Sequence, residues 1–210
     1  MVDEQLVRRG IRDVRVLAAM RELAREEFIP EPLAARAYDD CALPVAQRQT
    51  ISQPWMVARM LELAELGQDQ RVLEIGTGTG YQTALLAQLV AEVCSVERLP
   101  ALAKAAADRL AAQRLPGRVR LHVGDGSLGW REFAPYARVV AAAAAPVVPR
   151  ALLGQLADGG VLVIPVGGAE LQRLEVWRRT GDHLDRTAYG DCCFVPMIGR
   201  GAWAEEPPHN

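Results

Sequence analysis

Glu74-Ile-Gly76-Thr-Gly78-Thr-Gly80 sets one carboxylate and three glycines at alternate positions. Val72 to Ile75 read as a short buried strand, and an amphipathic helix starts near Tyr81. A glycine-rich strand-to-helix turn lets a ligand reach the bare backbone, because no Cβ stands in the way. Sites for dinucleotides show G-x-G-x-x-G, with a helix N-terminus facing the pyrophosphate. The spacing here, E-x-G-x-G-x-G, disfavours a nicotinamide-dependent oxidoreductase. Two further acids end strand-like runs. Glu97 follows Val93-Cys-Ser-Val96, roughly 20 residues past the loop, where an open α/β fold places an acid to accept both hydroxyls of a ribose. Asp125, in Gly124-Asp-Gly126, follows Val119 to Val123 and can accept from an adenine amino group. Singly, each acid reads as a solvated loop residue. Together they mark the crevice outside the carboxyl ends of parallel strands, where ligands bind.

The elements that must position these residues alternate. Strands are expected at 71–75, 93–97, 118–123, 138–144 and 160–166, with helices at 81–90, 100–114 and 149–157, which means βαβ units and a parallel sheet. Residues 1–40 read as helical, with Leu6, Ile11, Val14, Leu17 and Leu23 near helical spacing. Residues 41–53 look irregular. A helix runs from Pro54, suited to its first turn, to Leu66, and Gly67 ends it. Leu174 to Trp177 and Phe194-Val195 read as antiparallel strands closing the sheet edge. The expected organisation is one domain over 1–203: a helical extension and loop at 1–66, a ligand-binding core at 67–170 and closing strands at 171–198. A flexible tail is expected at 204–210.

Composition narrows the classes. The chain has 210 residues, half of them hydrophobic and 24% charged, as in an ordinary globular protein. A net charge of −2 argues against nucleic acid or an anionic membrane surface as partner. No apolar run reaches the length of a membrane span, and the N-terminus lacks the apolar core of a signal peptide, so a cytoplasmic protein is expected. Cys41, Cys94, Cys192 and Cys193 form no C-x-x-C and no Cys/His ligand set, so no metal site is expected. His122, His183 and His209 are scattered, and no nucleophile–His–acid arrangement is visible.

The glycine run resembles motif I of S-adenosylmethionine-dependent methyltransferases. Gln49-Thr-Ile-Ser-Gln-Pro54 ahead of it narrows the resemblance to the protein-L-isoaspartate O-methyltransferases. The likeness continues through Val72 to Gln82, Cys94 to Glu97, Gly124 to Gly126, Gly159-Gly160, Pro165 to Gly167 and Phe194-Val-Pro196. It implies a Rossmann-like seven-stranded α/β sheet with helices on both faces. It implies transfer of the methyl of S-adenosyl-L-methionine to the free α-carboxylate of L-isoaspartyl residues in damaged proteins or peptides. The ester then closes unaided to a succinimide, which opens in part to aspartate. Cofactor contacts would fall to Glu74, Gly76, Gly78, Gly80, Glu97, Asp125 and Gly126. Ser52 would orient the acceptor carboxylate as the catalytic serine, with Arg48, Gln49, Thr50, Ile51 and Val195 as the substrate loop. Ser52 also suits an N-cap for the helix at Pro54. A monomer or weak homodimer is expected.

The chain departs from the family's pattern in two places. Val45-Ala46-Gln47-Arg48 replaces I-G-x-G, so two glycines are lost. If either position needs φ > 0, a side chain there costs on the order of 1 kcal/mol, or the loop takes another path. Arg48 then has two roles open, pairing with the acceptor carboxylate or pointing to solvent. Ala137 and Ala142 stand where the family has Asp and Thr. A divergent carboxylate O-methyltransferase, or a weakly active S-adenosylmethionine-binding paralogue, is the alternative reading.

Overall fold

The expected alternation becomes a sheet in the computed structural model, which describes residues 1–204. A small hairpin pairs β1 (Leu43–Pro44) with β2 (Thr50–Ile51). The large sheet holds β3 (Arg71–Ile75), β4 (Glu92–Glu97), β5 (Arg118–Val123), β6 (Tyr136–Ala141), β7 (Leu156–Gly167), β8 (Gln172–Thr180) and β9 (His183–Cys192). Its order is β5-β4-β3-β6-β7-β8-β9. The strands run parallel from β5 to β7, and β8 pairs antiparallel with both β7 and β9. Because the chain moves outward from β3 in both directions, the order reverses there, which opens a crevice at the carboxyl ends of β3, β4 and β6.

Successive strand residues point to opposite faces, and the core divides accordingly. Val72, Val93, Val140 and Val163 join one cluster with residues of α1 (Val14–Glu22), α2 (Pro54–Leu63), α3 (Tyr81–Leu89) and α4 (Pro100–Ala112). Leu73, Cys94, Val139 and Leu162 join the other, with Leu152 of α5 (Arg150–Leu153), Tyr136 and Met197. Helices therefore cover both faces, unequally: α5 is a single turn. Among the described residues no helix is long and apolar enough to cross a membrane.

Five expectations need correction. The helix from Pro54 ends at Leu63 rather than Leu66, and the left-handed residue past it is Glu65 at φ 51°, not Gly67. Residues 1–40 are not one helical run. Gly10 turns the chain at φ 95°, Asp13 caps α1 through bonds from the amides of Arg15 and Val16, and short 3₁₀ turns at Arg25–Phe28 and Glu31–Arg36 follow. The helix at 149–157 shrinks to α5, because β7 begins at Leu156. β6 ends at Ala141, short of residue 144. The closing strand beside β8 is β9, not Phe194-Val195. As a mostly exposed edge strand, β9 lacks the apolar alternation that marks a half-buried one. Phe194 to Met197 instead cross the carboxyl end of β6, where Ala144 N donates to the Val195 carbonyl at 2.8 Å. The tail expected at 204–210 lies, from residue 205 on, outside the described residues.

Candidate active site

The glycine loop leaves β3 at Ile75 and enters α3 at Tyr81. Gly76, Gly78 and Gly80 all have positive φ, at 91°, 55° and 91°. At Gly78 a Cβ would project into open space, so the bare backbone there faces room rather than protein. At Gly80 a Cβ would come within 3.3 Å of Leu110 and 3.4 Å of Ala106, so this glycine admits α4 and not a ligand. Glu97, at the end of β4, is 7% exposed. Its Oε2 accepts from the Gly78 amide and its Oε1 from the Leu99 amide, both at 2.9 Å. Latched in this way, the carboxylate stands beside the loop at the switch point.

A cavity opens at this point, at the carboxyl ends of β3, β4 and β6. Its wall brings together Gly76, Gly78, Glu97 and Gly126 with Gln49, Thr50, Ile51, Ser52 and Val195. Nine expected site residues, read from five separate segments, thus meet around one space. Ile75, Val57 and Met197 supply apolar wall between them.

Four expected site residues are not among the wall. Gly80 serves packing, as described. Glu74 is fully buried behind the loop. Its oxygens accept from Thr83 Oγ1 at 2.5 Å, Ser95 Oγ at 2.6 Å and Gln82 Nε2 at 3.2 Å, and Ser95 in turn bonds Thr77 of the loop at 2.6 Å. Burial pushes its carboxyl up to about 7, against the pull of these bonds. Its place is under the loop, tying β3 to β4 and α3. Asp125 is a clasp: Oδ1 accepts from the Ser127 amide at 3.0 Å and hydroxyl at 2.6 Å, and Oδ2 from the Arg200 amide at 2.8 Å. It thereby sets the turn that presents Gly126. Arg48 is exposed.

The altered loop does adopt the costly conformation. Gln47 and Arg48 have φ of 60° and 55°, whereas Ala46 stays in the ordinary region. Two consecutive side chains occupy left-handed backbone that favours glycine, each costing on the order of 1 kcal/mol. Of the other two departures, Ala142 lines the cavity and Ala137 lies at the start of β6, at the far end of the strand from the cavity.

Ser52 does not cap α2. Gln53 holds that position, no side chain caps the helix, and Pro54 begins it. The Ser52 carbonyl is held by Arg25, whose Nη2 donates at 2.7 Å. Arg25 is 0% exposed, and its guanidinium lies 4.8 Å from the ring centroid of Tyr81, a residue of the cavity wall. The sequence reading missed both. Arg25 sits in Arg-Glu-Glu, which reads as a solvated surface run, and Tyr81 reads as the start of a helix. Among the described residues no cluster of His, Cys, Asp and Glu could hold a metal.

The family described as protein-L-isoaspartate(D-aspartate) O-methyltransferase matches residues 1–202. The chain belongs to that family. A protein-L-isoaspartate O-methyltransferase of Halorhodospira halophila is 50% identical over 196 residues, covering 93% of this chain and 89% of the relative. One of Methanoculleus marisnigri is 48% identical over 206 residues, covering 98% and 93%. A solved protein-L-isoaspartate O-methyltransferase superposes with a TM-score of 0.84 at 26% identity, over 96% of this chain and 67% of the other. A Plasmodium falciparum protein solved with S-adenosyl-L-homocysteine gives 0.80 at 23% identity, over 94% and 96%, a likeness of fold. The Gln49–Ser52 stretch, the glycine loop, Glu97, Gly126 and Val195 all lie within the matched span.

Proposed function

We infer that this protein transfers the methyl of S-adenosylmethionine to the free α-carboxylate of L-isoaspartyl residues in damaged polypeptide. The observation that carries the reading is that one cavity wall holds both the glycine loop with Glu97 and the Thr50-Ile-Ser52 stretch. The residues present fit the cofactor: bare backbone facing open space at Gly78, and a carboxylate beside it with lone pairs left for a diol. When bound, S-adenosylmethionine supplies an electrophilic methyl on a sulfonium.

The chain's own part is alignment. A carboxylate is already an anionic nucleophile at neutral pH and needs no general base. Among the described residues no histidine lines the cavity, which suits that chemistry. Glu97 and the Gly78 backbone would hold the cofactor, with Gly126 on the same wall. The Ser52 hydroxyl, free of any capping duty, orients the acceptor carboxylate, with Thr50, Ile51 and Val195 shaping the pocket. Ile51, Val57 and Met197 exclude water, which together with orientation supplies the main acceleration for such a displacement. Its four free cysteines suit a reducing cytoplasm, and we place it there as a monomer or weak homodimer acting on protein rather than nucleic acid.

Calorimetry tests the cofactor half of this reading: S-adenosylhomocysteine binds at roughly micromolar Kd and NADH does not. The product tests the other half. A carboxyl methyl ester is base-labile and releases methanol, whereas a base-stable methyl product would reject carboxylate as the acceptor.

A further inference from the structure

Arg25 is the least explained group in the molecule. It is 0% exposed, and among the described residues it forms no ion pair with any carboxylate. Its Nε donates to the Ala37 carbonyl at 2.8 Å and its Nη2 to the Ser52 carbonyl at 2.7 Å, while Nη1 is buried with no hydrogen-bond partner. The guanidinium lies 4.8 Å from the Tyr81 ring centroid, and the buried Tyr81 hydroxyl is close enough to interact with it but supplies no counter-charge, because burial pushes that phenol up to about 12. Burial lowers the Arg25 pKa, yet an arginine stays charged in proteins. A buried cation without a counter-charge is costly, and buried polar groups without partners are uncommon enough to call for a reason.

Position supplies the reason. Arg25 touches two residues of the cavity wall, Ser52 and Tyr81, from behind. Its planar fork spans the carbonyls of Ala37 and Ser52, so it fixes the stretch that carries the serine. Its charge adds a fixed positive field at the same wall.

We propose that Arg25 is a positioning residue for the acceptor. It holds Ser52 in place through the backbone, and its uncompensated charge makes the Ser52–Tyr81 side of the cavity select an ionised carboxylate over a neutral group of the same shape. The bound acceptor is the counter-charge the fold leaves out. This proposal rests on the acceptor lying at Ser52, as in the function inferred above.

The test compares an isoaspartyl peptide with the same peptide carrying an α-carboxamide, each binding in the presence of S-adenosylhomocysteine. Native protein is expected to favour the carboxylate by at least tenfold. Arg25→Met should collapse that ratio to below threefold, with S-adenosylhomocysteine affinity changed less than twofold. Arg25→Lys keeps the charge but not the fork, so it should retain the ratio while kcat falls. A purely structural role would weaken both peptides alike and leave the ratio intact in Arg25→Met, which overturns the proposal. A native ratio below twofold overturns it without any variant, and so does loss of the ratio in Arg25→Lys, whether or not Arg25→Met folds. If native protein binds S-adenosylhomocysteine but methylates no isoaspartyl peptide, the functional reading fails. If it methylates the peptide while the ratio survives Arg25→Met, only the role of Arg25 fails.

Discussion

The Gly78 amide donates to Glu97 Oε2 at 2.9 Å, so the barest point of the glycine loop is latched to the carboxylate assigned to the ribose. That oxygen still has lone pairs for a diol, and the latch pre-sets loop and acid as one surface. Glu97→Gln keeps an acceptor on one side and puts a donor on the other. Hydrogen bonds to a charged group contribute about 1.5–3 kcal/mol. The variant should weaken S-adenosylhomocysteine binding roughly 10- to 150-fold by calorimetry. A loss below twofold would place the ribose elsewhere.

Glu74 gives a pH signature of stability. Its carboxyl rises from 4.5 to about 7 because burial disfavours the charged form. The folded protein therefore keeps a proton that the unfolded chain releases. This contribution is fully present below about pH 4.5 and is lost as pH rises through about 7, a fall of about 3 kcal/mol. Urea unfolding at pH 5 and pH 8 should show native protein losing stability relative to Glu74→Gln, which carries no titrating group. Native protein that gains on the variant between those pH values would mean that the fold favours the charged carboxylate.

Arg48 is exposed and Asn tolerates its left-handed backbone. Arg48→Asn should keep the loop's path while removing the cation. Steady-state kinetics should show the KM for an isoaspartyl peptide within twofold of native. A tenfold rise would put the guanidinium on the acceptor carboxylate, the alternative its position in the sequence leaves open.

Ser52→Ala tests the acceptor side. Its hydroxyl caps no helix, so thermal stability should be unchanged. Loss of one hydrogen bond to a charged group should lower kcat about tenfold or more, with S-adenosylhomocysteine affinity within twofold. Equal kcat in the folded variant would remove Ser52 from the reaction.

Much of this is legible in the sequence. Glycines at alternate positions after a short apolar run, and acids at strand ends, leave marks in sequence because both need particular residue types. The switch point then brings Gly78, Glu97, Gly126 and Ser52 to one cavity. What stayed hidden depends on three-dimensional partners. Glu74 looks like a ligand-facing acid until Thr83, Ser95 and Gln82 are seen around it. Asp125 looks free until the Arg200 amide reaches it across 75 residues. Arg25 reads as surface because neighbouring glutamates surround it in sequence, whereas in the fold it lies beneath Ser52 and Tyr81. β9 leaves no mark in the sequence because an exposed edge strand has no core face to impose alternation.

The most direct test of the account is methyl transfer from labelled S-adenosylmethionine to two peptides that differ only in carrying an L-isoaspartyl or an L-aspartyl residue. The account predicts base-labile label on the isoaspartyl peptide and next to none on the aspartyl one. Equal or negligible labelling of both, with S-adenosylhomocysteine shown to bind, would contradict it and leave a divergent methyltransferase or a cofactor-binding paralogue in its place.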